Sequence, residues 1–227
     1  MNEQHSKDYA DYFIKDGQLI GRFEEMYAFA DGAPWHQDEE EEWIDVRVAM
    51  DLLRLVAPFD YIADIGSGLG FFLDTLCRTV GTGDVAGFGL DVSENACRRA
   101  QELFPSHEFR AADLAGDCQV LKDWSSVLPD SARSVVVCRG LLWCVFPQLE
   151  SVVANIIAAV RPQQYLLVAQ NFPPLDSEFV GKEVIPGPEK LVSLFSQQLA
   201  LQKSVWLQDH LSRGNDNWWI ALLRREQ

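Results

Sequence analysis

The sequence predicts an α/β fold: a doubly wound, mostly parallel sheet of seven strands that closes with an antiparallel hairpin. Three observations carry that reading. From residue 60 onward, short apolar runs alternate with stretches whose apolar residues recur at three-to-four spacing, the pattern of repeated strand and helix. Three of the runs end in an acid followed by a loop, at Asp64, Asp91 and Asp113. The last two runs flank Arg213, Gly214, Asn215 and Asp216, which is turn chemistry.

The first 57 residues stand outside the repeat and are expected to form a helical cap or lid, with 58–227 as the domain built on the sheet. Within that cap, Asp38, Glu39, Glu40, Glu41 and Glu42 precede a helical pattern of Trp43, Val46, Met50, Leu53 and Val56 that stops at Pro58. Carboxylates complement the positive end of a helix dipole, so this acidic run reads as a solvated first turn. Strands are expected at 61–63, 85–90, 107–111, 134–138 and 165–170, and the hairpin at 203–207 and 218–223. Helices are expected at 69–80, at 94–104 behind Ser93 as N-cap, at 147–160 and at 188–199. The run from Ser134 through Val135, Val136 and Val137 to Cys138 suits a strand covered on both faces. After the fifth strand, Asn171, Phe172, Pro173, Pro174 and Leu175 begin a long segment up to Pro188 that is either a lid or a connector.

Of the 227 residues 48% are hydrophobic, with 13 Phe and 7 Trp, enough for a large core and incompatible with wholesale disorder. Lys and Arg number 19 against 34 Asp and Glu, a net charge of −15 with no basic stripe, which argues against a nucleic-acid partner. The polar, acidic N-terminus is not signal-like, and the apolar stretch 152–160, interrupted by Asn155, falls short of the roughly 20 residues of a membrane span. A soluble, cytoplasmic protein is expected, its oligomeric state left open. Cys77, Cys97, Cys118, Cys138 and Cys144 show no C-x-x-C pair and no zinc-finger spacing with His. They read as buried reduced thiols, with a nucleophilic Cys138 or Cys144 as the alternative.

Ligands of such sheets bind beyond the carboxyl ends of the strands. There, Asp64 precedes Gly66, Ser67, Gly68, Leu69 and Gly70, and glycine lets backbone approach a ligand closely. The dinucleotide fingerprint G-x-G-x-x-G/A fails, because the sixth position is Phe71 or Leu73 depending on the starting glycine. A nicotinamide dehydrogenase is therefore disfavoured. Asp91 follows Gly70 by 21 residues, the distance at which an acid meets ribose hydroxyls.

Taken together, DIGSGLG at 64–70, GLDVSENA at 89–96 and AADL at 111–114 resemble motif I and its two successors in class I S-adenosylmethionine-dependent methyltransferases. The resemblance covers residues 60 to 224 and implies a Rossmann-like methyltransferase sheet with S-adenosylmethionine as cofactor. It also implies roles. Gly66, Gly68 and Gly70 line the methionine part, with Ser67 in the same loop. Asp64 faces the ammonium end through water. Asp91 takes both ribose hydroxyls with Val92 beside it, and Asp113 takes the adenine amino group with Leu114 along the ring. A sulfonium and an ammonium suit carboxylates and aromatic rings, which is the chemistry these positions offer.

Acceptor chemistry is less marked. Arg139 opens the loop after the fourth strand and either holds an anionic acceptor or the cofactor carboxylate, or pairs with an acid such as Asp113. That loop carries no aspartate or asparagine, so no metal site is expected. The leader contains Phe23, Glu24, Glu25, Met26 and Tyr27, then Pro34, Trp35, His36 and Gln37, and is similar to leaders of methyltransferases of the nodulation N-methyltransferase type. The resemblance implies that an aromatic such as Trp35 closes over the cofactor. His36 is the candidate base, or else a surface hydrogen-bonding residue. His210, in the hairpin turn, is expected to lie away from the chemistry. The reading is O- or N-methyl transfer to a small molecule, a sugar, a polysaccharide precursor or a specialised metabolite. A non-catalytic cofactor-binding regulatory protein is the alternative.

Overall fold

A computed structural model describes residues 5–116, 118–208 and 217–226. His210 and the predicted turn at 213–216 lie outside the described residues. The leader contains a 3-10 turn Tyr9–Tyr12, a two-stranded ribbon β1 (Ile14–Lys15) and β2 (Gln18–Leu19), helix α1 (Phe23–Phe29) and a kinked 3-10 stretch Pro34–Glu42. It is thus less helical than expected. The turn residues Asp16 and Gly17 adopt positive φ and fold β1 back on β2.

The main elements follow as α2 (Ile44–Arg54), β3 (Tyr61–Ile65), α3 (Phe71–Val80), β4 (Phe88–Asp91), α4 (Glu94–Leu103) and β5 (Glu108–Ala111). After these come α5 (Gln119–Val127), β6 (Ser134–Arg139), α6 (Leu149–Ala159), β7 (Tyr165–Phe172), α7 (Pro188–Phe195), β8 (Leu199–Gln208) and β9 (Asn217–Arg225). Helix α5 is absent from the sequence reading. Leu121 and Ser125 bury one face of it and Trp124 stacks on Phe88, an amphipathic pattern too short to stand out beside its polar neighbours.

Seven strands form one sheet in the order β5-β4-β3-β6-β7-β9-β8. The pairs from β5 to β7 are parallel, and β9 inserts antiparallel between β7 and β8. Strand β6 contributes Val136 and Cys138 to one face and Val135 and Val137 to the other, so its β-branched run is buried twice over. Helices α5, α6 and α7 cover the first face; α2, α3 and α4 cover the second. Val46, Ala49, Met50 and Leu53 of α2 share that second core with Ile220 and Leu222 of β9. On the open edge, β8 is bulged between Leu201 and Lys203, and Lys203 adds a charge; both discourage further strand pairing.

His107 closes the opposite edge. It is 6% exposed, its Nδ1 accepts from the Gly87 N–H at 3.1 Å, and its Nε2 lies 3.3 Å from Asp74. With Nδ1 accepting, Nε2 carries the proton and donates to the carboxylate.

Candidate active site

The strand order reverses between β3 and β6, and the loops leaving the carboxyl ends of these two strands face each other there. The glycine loop after β3 docks by donating Gly66 N–H (2.7 Å) and Ser67 N–H (3.0 Å) to the Leu90 carbonyl. Gly66, Gly68 and Gly70 have φ of 77°, 53° and 85°, a region that disfavours side chains. Asp91 fastens the same loop: its carboxylate accepts from the N–H of Gly68 at 2.9 Å and of Ser93 at 3.0 Å. Ser93 in turn caps α4 by accepting from Ala96 N–H at 3.0 Å. Burial raises the Asp91 carboxyl despite those hydrogen bonds. Asp64, 2% exposed, is pushed up to about 8 by burial and by the charges of Glu40 and Asp91, against the pull of Arg139.

A cavity of about 1730 Å³ opens between these loops and the leader. Of the residues singled out in the sequence, Trp35, His36, Gly66, Asp91, Val92, Asp113, Leu114 and Arg139 line it. Asp64, Ser67, Gly68 and Gly70 do not, and each has a physical reason. Asp64 is covered. A Cβ at Gly68 would lie 2.3 Å from Gln37 Nε2 and 2.7 Å from the Tyr27 hydroxyl, because these leader side chains sit on that glycine. A Cβ at Gly70 would strike Phe109 at 2.6 Å, so this glycine serves the turn into α3 and its packing. The Ser67 hydroxyl is buried without a hydrogen-bond partner.

The leader is pinned on both sides of the cavity. The Glu24 carboxylate accepts from Ser93 Oγ at 2.5 Å and from the side chain and backbone of Asn95 at 2.6 and 3.2 Å. What burial it has would raise this carboxyl, but those hydrogen bonds prevail and lower it. Arg99 donates to the carbonyls of Tyr27 and Gly32, both at 2.9 Å. Leu69 N–H donates to Gln37 Oε1 at 3.2 Å. Trp35 and His36 both adopt left-handed backbone, φ 54° and 55°, at a cost of order 1–3 kcal/mol each. Packing of the Trp35 ring against Tyr9, Phe13, Phe23 and Tyr27 holds the kink.

The structure corrects two readings. Arg139 does form a structural ion pair, one of the two roles left open for it, but not with Asp113, which is exposed and accepts from the Ala115 N–H. Its guanidinium instead donates to Glu40 at 2.6 Å and to Asp45 at 2.7 Å, among the rings of Trp43, Phe72 and Trp218. Nor is the acidic run wholly solvated. Glu40 is 3% exposed and Asp45 2% exposed, because the chain turns at Trp43 before α2 begins and points both acids inward. Burial penalises the Arg139 charge, yet Asp45 and Glu40 more than offset it and raise its pKa; burial raises Glu40 despite the pairing. Tyr27 and Gln37 belong to the leader motif, but the sequence assigns them no place over Gly68, and it does not mark Asp45, since all three are distant in the chain from the residues they meet.

The thiols are settled by burial. Cys77, Cys97, Cys118, Cys138 and Cys144 are unbridged, and burial together with the Asp91 charge pushes Cys144 up to about 12. Burial raises Cys138 as well, so neither is a thiolate near neutrality.

Residues 62–163 match the methyltransferase domain family. Over that stretch the chain is similar to methyltransferases, and its sheet has the Rossmann-like fold of class I S-adenosylmethionine-dependent methyltransferases. No curated protein matches the chain. Among solved structures, this methyltransferase fold is similar to the N-methyltransferase NodS from Bradyrhizobium japonicum WM9 in complex with S-adenosyl-L-homocysteine. That pair has 14% identity and a TM-score of 0.62, over 87% of this chain and 94% of the other. A structure described as the conversion of a disulfide bond into a thioacetal group during echinomycin biosynthesis has 16% identity and a TM-score of 0.63, over 90% and 91% of the two chains. A SAM-dependent methyltransferase from Anabaena variabilis has 14% identity and a TM-score of 0.60, over 84% and 87%. At these identities the likeness is one of fold. Among the described residues, no helix is long and apolar enough to cross a membrane.

Proposed function

We propose that the protein transfers the methyl group of S-adenosylmethionine to an oxygen or nitrogen of a small molecule held in the cavity between leader and sheet, without a metal ion. The observation that carries this is the continuity of the cavity, from Gly66, Asp91 and Leu114 at the strand ends to the leader side chains Trp35 and His36. The cradle suits the cofactor: positive-φ glycines, buried carboxylates and aromatic rings meet a ligand that carries a sulfonium and an ammonium. Asp91 would hold the ribose hydroxyls, with Val92 beside it. Asp113 and Leu114 would hold the adenine. Gly66, Ser67, Gly68 and Gly70 would shape the loop around the methionine part, and Asp64 would supply negative charge behind it.

Bound S-adenosylmethionine supplies an electrophilic methyl on an already activated leaving group. What remains for the protein is alignment and exclusion of water. Residues 1–57 serve as the cap, rooted by α2 in the sheet's core, and Trp35 closes it over the cofactor. His36, which lines the cavity, accepts the proton of a hydroxyl acceptor. An amine acceptor has to arrive neutral. Arg139 acts as a positioning residue, since its charge is spent on the Glu40 and Asp45 pairs that fix the cap to the end of β6. Five unbridged thiols fit a reducing cytoplasm.

Calorimetric titration tests the reading: S-adenosylhomocysteine binds at one site per chain and NAD does not. Transfer of labelled methyl to a panel of hydroxyl and amine acceptors then proceeds in EDTA. Activity lost in EDTA and restored by magnesium overturns the metal-free mechanism.

A further inference from the structure

We infer that the methyl acceptor is a flat, ring-bearing, largely apolar molecule, neutral or carrying a basic amine, and neither an anion nor an oligosaccharide. This rests on the methyltransferase reading and narrows it to a substrate class.

Size comes first. Small-molecule sites commonly enclose about 300–1,000 Å³. The cavity here, at about 1730 Å³, exceeds what the cofactor part along Gly66, Asp91 and Leu114 needs. Two groups of apolar side chains belong to its lining. One is the leader ribbon, which presents Phe13, Ile14 and Leu19 to the cavity. Ile14 is 40% exposed, a large apolar residue open to solvent. The other wall is Trp143, Phe146 and Phe179.

That second wall is held rigidly. Trp143 donates its indole N–H to the Asn171 carbonyl at 2.6 Å, and its ring meets Phe179 edge-on at 5.3 Å and Phe172 at 5.7 Å. Gly181, at φ 85°, brings the following backbone so close that a Cβ there would stand 3.1 Å from Phe146 and 3.2 Å from Trp143. Planar walls of this kind favour stacking on a ring, and the polar side chains that also line the cavity, such as Gln148, Asn171 and Gln208, are a minority beside the apolar ones that an oligosaccharide would leave unmatched.

Charge selects further. Among the described residues lining the cavity, Arg139 is the sole Lys or Arg; Asp45 and Glu40 hold its Nε and Nη1, while its buried Nη2 has no hydrogen-bond partner. The other charged residues at this end, Glu39 and Glu42, are exposed carboxylates. A net charge of −15 adds a long-range bias in the same direction. An anionic acceptor would thus meet repulsion from the acids, and the one guanidinium there is buried and already balanced by two carboxylates.

Three probes test this on the protein saturated with S-adenosylhomocysteine: proflavine (a flat tricyclic cation), anilinonaphthalene sulfonate (an aromatic anion) and an N-acetylglucosamine oligomer. Proflavine should bind at least about tenfold more tightly than the sulfonate, the scale of one aromatic contact plus a charge preference, and the sugar should not bind measurably. Trp143→Ala and, independently, Ile14→Asp should each change proflavine affinity, the first weakening it by about tenfold, with S-adenosylhomocysteine affinity held within about twofold. Sulfonate or sugar binding as tight as proflavine overturns the inference, as does proflavine affinity indifferent to both substitutions. If S-adenosylhomocysteine itself fails to bind, the methyltransferase reading falls and this inference with it.

Discussion

The Arg139 guanidinium at the end of β6 lies 2.6 Å from Glu40 of the leader, 99 residues away in the chain, and both side chains are almost wholly buried. Asp45 completes the arrangement at 2.7 Å. Removing one member of a buried pair leaves an uncompensated charge, which costs about 3–5 kcal/mol. Glu40→Ala should fall near the lower end, because Asp45 still holds Arg139. Arg139→Ala, which strands two acids, should cost more. Denaturant unfolding measures both, and equal stability of Arg139→Ala and the parent would contradict the pairing.

Asp91→Ala should weaken S-adenosylhomocysteine binding by about 1.5–3 kcal/mol, the range for hydrogen bonds to a charged group. The same carboxylate also holds the Gly68 N–H, so part of the loss comes from a loosened glycine loop. Calorimetry on a variant shown to be folded checks this; unchanged affinity removes Asp91 from the ribose.

Gly68→Val meets two obstacles. The backbone at φ 53° is strained for any side chain, and the new Cβ would run into Gln37 and Tyr27. Cofactor binding should be lost, and hydrogen exchange should speed up in residues 23–42 as the leader is pushed off. Full binding by this variant would place the pocket elsewhere.

Asp64 governs a pH dependence. Its carboxyl, ordinarily near 4, is raised to about 8 in the folded protein, so the folded state holds a proton that the unfolded chain releases. Its contribution to stability is complete below the unfolded value and is lost as pH rises toward 8. Glu40 and Asp91, also raised, add in the same direction. Asp64→Asn should flatten the slope of unfolding free energy against pH. Binding of a cationic cofactor should release protons near neutrality, measurable as a buffer-dependent heat.

The Glu24 carboxylate docks α1 on the N-terminus of α4 through Ser93 and Asn95. Glu24→Ala should raise hydrogen exchange in the leader and lower turnover while shifting the melting temperature little. Because this carboxyl is lowered, its contribution is present at neutral pH and disappears only as acid protonates it. Exchange in the variant identical to the parent would show that the leader is held by its aromatic cluster alone.

Much of this protein is local and therefore readable in one dimension. The alternation of apolar runs and amphipathic helices set the doubly wound sheet, since each strand and helix must bury its own apolar face. The turns at glycines 66, 68 and 70 and the acids at strand ends are legible because positive φ and strand termini leave direct traces in residue type. Ser93 was recognised as a cap for the same reason. The remainder depends on contacts between distant segments. Nothing in the run from Asp38 to Glu42 distinguishes Glu40 from its neighbours until α2 docks on β9 and turns that one acid toward Arg139. Gln37 and Tyr27 acquire their place on Gly68 only when α1 packs on α4. The cavity-lining pairs, Trp143 with Phe179 and Phe13 with Ile14, come from segments more than a hundred residues apart. Burial of charge and the shape of a cavity are properties of the packed whole, and the order of residues along the chain does not contain them in any local form.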